Sequence, residues 1–277
     1  MSELTLALFG AIGRMGRRLA ALSGEHGWRV VGALVEPADA QPGRTLRSAV
    51  PELDAGRDVL LTSDPQRAVR GAAAVIDFAL ASGLRPRLDA AVAARAAYVL
   101  GATGLSGDDQ AALDAASREI PLLWAPNMSQ GIGALLELVA RAAAALPDFE
   151  VEVHELHHRH KADAPSGTAI ALADAAAAAR AAGDSELLLC RGRNPGPRRA
   201  GEIGVVATRG GDAVGEHTVF LFGAGERVEL THRATSRDIF AHGALRAARF
   251  LVNRQPGRYA MADVLATHRV EKSAPAR

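Results

Sequence analysis

The first half of the chain alternates short apolar runs with longer stretches whose apolar residues recur every three or four positions. The run "LTLALFG" (Leu4–Gly10) is almost continuous and ends in glycine, as a buried parallel strand does. "RMGRRLAALSGEHG" follows at helical spacing, and "WRVVGALVE" reads as a second strand. "DVLLTSD", "AAVIDFAL" and "AAYVLGATG" are further apolar runs, separated by stretches of Ala, Arg and Leu that favour helix; "IPLLWAPNMS" closes the series. Strands alternating with helices predict βαβ units and a parallel sheet.

After Asn127 the pattern changes. "QGIGALLELVARAAAAL" predicts a long helix, and "FEVEVHELHHRH" alternates with the period of a half-exposed strand. "SGTAIALADAAAAARAAG" reads as a helix capped by Ser166 or Thr168 and ended by Gly183. "GVVATRGG", "GEHTVFLFGAG" and "ERVELTHRATS" read as strands joined by glycine turns, which predicts an antiparallel or mixed sheet. "IFAHGALRAARFLV" is a final helix, "RYAMADVLA" carries some apolar residues, and "EKSAPAR" reads as a frayed end. The Gly-, Pro- and Arg-rich "CRGRNPGPRRAGEIG" reads as a mobile loop. The expected fold class is α/β: a Rossmann-like parallel-sheet domain plus an α+β domain with a mixed sheet.

Composition narrows the function without choosing it. A chain of 277 residues is comfortable for two domains. Thirty-two Lys and Arg against 31 Asp and Glu leave a net charge of +1, which gives no reason to expect a nucleic acid or an anionic membrane as partner. The single cysteine, Cys190, excludes an internal disulfide framework and points to a reducing compartment. "MSE" runs straight into the first strand without a basic segment, so no signal peptide is expected, and the apolar runs are too short and interrupted to span a bilayer. A cytoplasmic protein is the expectation.

Two stretches carry chemistry. "LALFGAIGRMG" places Gly10, Gly13 and Gly16 at a strand-to-helix junction, where bare backbone can approach a pyrophosphate and a helix start offers free N–H groups. The middle glycine of the common G-x-G-x-x-G pattern is missing, since Ile12 stands there. Arg14 adds a cation that can reach phosphate, and Glu36, at the end of the second strand, is placed to accept from ribose hydroxyls. "GATG" (Gly101–Gly104) offers a second loop.

The other stretch is "HELHHRHKADAPSGTA" (His154–Ala169). A strict period of two puts His157, Arg159 and Lys161 on one face and His158 and His160 on the other. That first face gathers donors and two groups able to pass protons. The Ser166–Gly167–Thr168 sequence at a helix start exposes backbone N–H groups and two hydroxyls, a natural carboxylate site. The combination suits a small, multiply anionic substrate, with His157 or Lys161 handling a proton. A metal site is disfavoured by Arg159 and Lys161. A merely solvated strand edge explains the Lys and Arg but not the histidines.

Taken together, "GAIGRMG", "GATGLS", "APNMSQGI", "ELHHRHKADAPSGTA" and "TRGGDAVGEHTVFLFGAGERVELTHRATSRDIFAHGALRAARFL" resemble, in this order and over almost the whole chain, the 4-hydroxy-tetrahydrodipicolinate reductase (dihydrodipicolinate reductase) family of lysine and diaminopimelate biosynthesis. The resemblance implies a dinucleotide domain over 1–127 completed by 239–277, and a substrate-binding and oligomerisation domain over 128–238. It implies reduction by NADH or NADPH of a small dicarboxylate, with loss of water, in a homotetramer. By the resemblance, Gly10, Ala11, Ile12, Gly13, Arg14 and Met15 hold the pyrophosphate and Glu36 the adenosine ribose. Gly101, Ala102 and Thr103, with Ala125, Pro126, Asn127 and Met128, line the nicotinamide side. His157 is implied as the acid/base group, Lys161 as proton donor, His158 as a substrate contact, and Gly167 with Thr168 as a carboxylate site. Pro37 stands after Glu36 where some relatives place an arginine, and His242 stands where asparagine is expected; the first favours NADH. The alternative class is a sensor that binds dinucleotide and metabolite without turnover.

Overall fold

The computed structural model describes residues 4–50, 58–180 and 185–271. They divide into two compact units, Met1–Ser129 with Asp238–Arg277, and Gln130–Arg237. The N-terminal part runs β1 (Leu4–Phe9), α1 (Arg14–Leu22), β2 (Trp28–Leu34), α2 (Leu46–Ala49), β3 (Leu61–Thr62), α3 (Pro65–Val69), β4 (Ala74–Asp77), α4 (Leu84–Ala93), β5 (Ala97–Leu100), α5 (Gly107–Ala116) and β6 (Pro121–Trp124). The second unit runs α6 (Gln130–Ala145), β7 (Glu150–His157), α7 (Gly167–Ala178), β8 (Glu186–Leu189), β9 (Glu202–Arg209), β10 (Gly215–Gly223) and β11 (Glu226–Ala234). The chain then returns to the first unit with α8 (Asp238–Leu251), β12 (Gly257–Tyr259) and α9 (Met261–Glu271).

The first unit is a seven-stranded sheet in the order β12-β6-β5-β4-β1-β2-β3, with every pairing parallel. The continuous apolar runs follow from this geometry. Every residue of β4 and β5 is buried, because helices cover both faces of a parallel sheet. On one face Leu6, Leu8, Ile76, Val99 and Leu123 pack with Leu19 of α1 and Leu245 and Leu251 of α8. On the other, Phe9, Val75, Tyr98 and Leu100 pack with Leu84, Leu88 and Leu113. Each such fully buried large side chain contributes about 1.5–3 kcal/mol.

Two strands depart from the pattern. β6 does not close the series, because β12 pairs along it through Gly257–Tyr259. β3 keeps only two residues of "DVLLTSD". On α8, a Cβ at Gly243 would lie 1.7 Å from the Met128 carbonyl oxygen, so only glycine lets this helix sit against that turn.

The second unit is a five-stranded mixed sheet in the order β11-β10-β7-β9-β8. β10 runs antiparallel to both neighbours, while β7, β9 and β8 run parallel. Val151, Val153, Ile203, Val205, Val219 and Leu221 line its inner face and pack on Ile132, Leu135 and Val139 of α6 and Leu172 of α7. α7 starts where Ser166 Oγ accepts from Ala169 N, 3.2 Å away. Gly183, expected to end this helix, and the tail after Glu271 lie outside the described residues. The Arg-rich segment after β8 is tied to the sheet by ion pairs: Arg191 and Arg198 meet Glu152, and Arg199 meets Glu186 at 3.1 Å. Among the described residues, no helix is long and apolar enough to cross a membrane.

Candidate active site

In the first unit, β1 delivers its chain into the glycine turn. Gly10 has a φ of +74°, and a Cβ there would lie 3.0 Å from Ala79 N. A Cβ at Gly16 would lie 2.2 Å from the Gly10 carbonyl oxygen. The turn therefore closes only on glycine. Gly13 caps α1 in extended backbone and contributes no side chain. Gly13 N donates to Gly10 O, and Gly10 N and Ala11 N both donate to Leu34 O, each at 3.0 Å, which leaves the first N–H groups of the helix itself, from Arg14 onward, for an acceptor. Arg17 Nε turns back and donates to the Ile12 carbonyl at 2.8 Å, while Arg14 is exposed. The donor set fits a dinucleotide pyrophosphate.

Glu36 is exposed after β2 and precedes a 3-10 turn, Pro37–Asp39. Arg44, which the sequence alone cannot place, pairs with Asp39 at 2.7 Å. In the second loop, Gly101 N donates to the Asp77 carbonyl at 2.8 Å, and the Phe78 ring occupies the space a side chain at Gly101 would need. Ala102 is buried with its carbonyl taken by Trp124 Nε1 at 2.9 Å, while Thr103 is exposed. Ala125 and Met128 are buried in the core, Pro126 is exposed, and Asn127 Oδ1 accepts from Ser129 N at 2.9 Å.

A buried network behind these loops escapes the sequence reading. Asp77, fully buried at the end of β4, takes hydrogen bonds from Arg87 Nε at 2.7 Å, Tyr98 Oη at 2.5 Å and Ala79 N at 2.8 Å. Burial, with Asp77 beside it, holds the Tyr98 phenol well above its usual range. Arg87 also donates to Leu80 and Ser82 carbonyls, so the network fixes the 78–82 loop that abuts Gly10.

In the second unit, β7 ends at His157, which corrects the strict two-faced strand. Beyond it the chain pairs with the 210–213 loop: Gly210 N donates to His157 O at 3.0 Å and His158 N to Ala213 O at 2.8 Å. Arg159 is exposed and shares no strand face with His157; its Nε donates to Gly211 O at 3.4 Å. Lys161 follows in a turn, its Nζ 2.8 Å from Asp163 Oδ1, and that pairing lowers the Asp163 carboxyl below its usual range.

His157 is buried. Its Nδ1 lies 2.6 Å from Glu155 Oε2, and its Nε2 lies 2.8 Å from where a Cβ of Gly215 would be. Glu155 is completely buried and forms a two-pronged ion pair with Arg209 at 2.7 Å per prong. His217 packs edge-on against the His157 ring at 5.2 Å, and its Nε2 meets Ser166 Oγ at 3.1 Å. Burial, then the neighbouring His157, pushes His217 down to about 4. His158 Nε2 lies 3.2 Å from Arg237 Nη2. The structure thus gathers His157 and Ser166 in one bonded network, with Gly167 and Thr168 opening α7 directly after it. Glu155, Asp163, Arg209, His217 and Arg237 go unnoticed in the sequence reading. Glu155 left a signal: on the alternation of β7 it falls on the apolar Val151 and Val153 face.

An all-parallel sheet whose first strand turns through glycine into an uncapped helix is a Rossmann-type dinucleotide-binding fold. The chain belongs to the dihydrodipicolinate reductase family: the family's N-terminal part matches residues 4–128 and its C-terminal part residues 131–265. It is 44% identical over 264 residues to the 4-hydroxy-tetrahydrodipicolinate reductase of Myxococcus xanthus, covering 94% of this chain and 97% of that one. It is 43% identical to the enzyme of that name from Aromatoleum aromaticum, covering 96% of each chain. The fold is also that of the dipicolinate-bound dihydrodipicolinate reductase from Paenisporosarcina, with a TM-score of 0.72 at 19% identity over 93% of this chain and 97% of that one.

Proposed function

We propose that the protein reduces 4-hydroxy-tetrahydrodipicolinate to tetrahydrodipicolinate with a nicotinamide dinucleotide, in lysine and diaminopimelate biosynthesis. The observation that carries this reading is the His157–Glu155–Ser166 network beside Lys161, set in a chain whose relatives carry the reductase name.

The reaction takes up one hydride and one proton and releases water. The nicotinamide supplies the hydride when bound. The chain's own residues do the rest. Within the Gly10–Met15 turn, the N–H groups of Gly10, Ala11 and Gly13 are spent inside the fold, and those of Ile12, Arg14 and Met15 hold the pyrophosphate, while Glu36 accepts from the ribose hydroxyls. The 101–103 and 125–128 segments line the nicotinamide side, mainly through backbone, since Ala102, Ala125 and Met128 are buried. In the second unit Lys161 donates the proton, its ammonium steered by Asp163. His157, with Nδ1 engaged, exchanges protons at Nε2. His158 touches the substrate, with Arg237 adding a donor beside it. N–H groups of Gly167 and Thr168 at the start of α7 bind a carboxylate; the dipicolinate bound to the Paenisporosarcina enzyme supports a dicarboxylate ligand.

Glu36 without an adjacent arginine favours NADH over NADPH, and the Arg44–Asp39 pair supports that preference by engaging the nearest cation downstream. The outer face of the mixed sheet carries Leu156, Val206, Phe220 and Phe222. Val206 is 40% exposed, and the two phenylalanine rings stack at 5.7 Å. Such a face suits sheet-to-sheet association in a homotetramer. Cytoplasmic residence agrees with the single, exposed Cys190.

The test is to mix protein, NADH and substrate. Loss of reduced-nicotinamide absorbance matched by tetrahydrodipicolinate is expected. Binding of both without turnover would leave the sensor reading instead.

A further inference from the structure

We infer that Glu155 is a positioning residue that sets, from one buried carboxylate, both the ring of His157 and the start of the Ser166–Thr168 carboxylate loop. The inference rests on the proposed reductase function and names a further residue of that same site.

A carboxylate on the apolar face of a strand survives only if fully paired and hydrogen-bonded. Glu155 meets this with four bonds, two to each oxygen. Oε2 accepts from His157 Nδ1 at 2.6 Å and Arg209 Nη1 at 2.7 Å. Oε1 accepts from Ser166 N at 3.0 Å and Arg209 Nη2 at 2.7 Å. Arg209 sits in register opposite His157 on β9. An ion pair serving stability alone needs only the arginine. The other two bonds go to the imidazole proposed to move protons and to the backbone that opens the carboxylate loop.

The consequence for His157 is chemical. An ionised carboxylate only accepts, so the ring must carry a proton on Nδ1, and Nε2 becomes the atom that exchanges. Burial alone would raise the Glu155 carboxyl, but the bonds from Arg209, His157 and Ser166 outweigh it and hold the group below its usual range. Gly215 leaves the Nε2 side free of a side chain. His217 closes the circuit by touching both the His157 ring and Ser166 Oγ.

The experiment compares wild type, Glu155→Gln, His157→Gln and the double variant. Glu155→Gln keeps the shape and loses the charge, and is expected to lower kcat by about 10–100-fold, the range seen when the carboxylate that orients a metal-bound histidine is removed. In the His157→Gln background the same change should lower kcat by less than about 3-fold, because the two act as one unit. The affinity for pyridine-2,6-dicarboxylate should fall in both backgrounds, through the Ser166 link. Equal kcat losses in both backgrounds would overturn the inference, since a purely structural carboxylate gives additive damage. A second readout needs neither turnover nor a folded variant. The ring nitrogens of His157 in the wild type, observed by 15N NMR at alkaline pH, should report a proton on Nδ1; a proton on Nε2 would overturn the inference. A wild type that shows Nδ1–H but no turnover would sink the reductase reading and leave the positioning geometry standing.

Discussion

The glycine turn of the first unit and the histidine network of the second achieve their geometry by opposite means. The turn works by omission: Gly10 and Gly16 leave out side chains for which the packed backbone has no room, Gly13 contributes none at the start of α1, and Arg14 and Glu36 stand exposed nearby in the chain. The network works by crowding, with His157, Glu155, Arg209, Ser166 and His217 from β7, β9, β10 and the cap of α7 fixing one another. A site made of backbone is set by local sequence and keeps its charges in water. A site made of side chains is set by the fold and keeps its charges dry. The first tolerates surface changes, whereas the second depends on each member.

The sharpest way to test that contrast is to remove the proposed proton donor and leave the frame. Lys161→Ala is expected to lower kcat by roughly 10²–10⁴, the loss for a positioned acid, while NADH affinity stays unchanged. Near-normal turnover measured by steady-state kinetics would refute the assigned role. The opposite disturbance fills the turn. Gly16→Ala places a methyl 2.2 Å from the Gly10 carbonyl, and should cost about 3 kcal/mol, the upper end for overpacking, together with weaker NADH binding. Urea unfolding at the wild-type midpoint would mean that the turn can relax and that omission is not its principle.

Crowding also has a pH signature. His217 is 3% exposed, faces His157, Glu155, His232 and Lys161, and is pushed from its usual 6.5 down to about 4. The unfolded chain therefore binds the proton more readily than the fold. Stability should be full above pH 6.5 and fall as pH drops from there toward 4, by up to about 3 kcal/mol. Comparing urea unfolding of wild type and His217→Gln across that window tests it, and parallel curves would show that His217 is not the group responsible. The smallest effect belongs to the turn. A 2′-phosphate near Glu36 meets a like charge costing about 1–2 kcal/mol at a partly solvated site, so kcat/KM should favour NADH roughly tenfold. Equal values at low salt would mean that a cation, with Arg44 released from Asp39 the first candidate, serves the phosphate.

The contrast also explains what could be read from the sequence. β1, β2, β4 and β5 are legible because a buried parallel strand is a continuous apolar run. The glycine turn is legible because Gly10 and Gly16 admit no side chain, a requirement that the residue types display directly. β12, "GRY", carries no apolar pattern and exists only because β6 offers it an edge. β8 is hidden by the Gly- and Pro-rich segment that follows it. His157, Lys161 and Ser166 cluster within ten residues and announce themselves. Arg209 and His217 lie more than fifty positions from Glu155, and only the strand order β10-β7-β9 brings them to it. The period-two rule failed at His157 because the 210–213 loop captures the chain there.

The return of α8 to the first unit has a consequence for how the molecule is made. Ala244, Leu245, Ala248 and Leu251 complete one face of the parallel sheet, and Gly243 seats the helix against Met128. On the ribosome these residues emerge only after the whole of residues 130–237. At about 5–20 residues per second, that intervening stretch imposes a wait of roughly 5–20 s. During it the mixed-sheet unit, contiguous in sequence, can finish folding while β4 and β5 still lack the cover that α8 brings to one apolar face. The nascent first unit is thus the part of the chain with the longer exposure to aggregation.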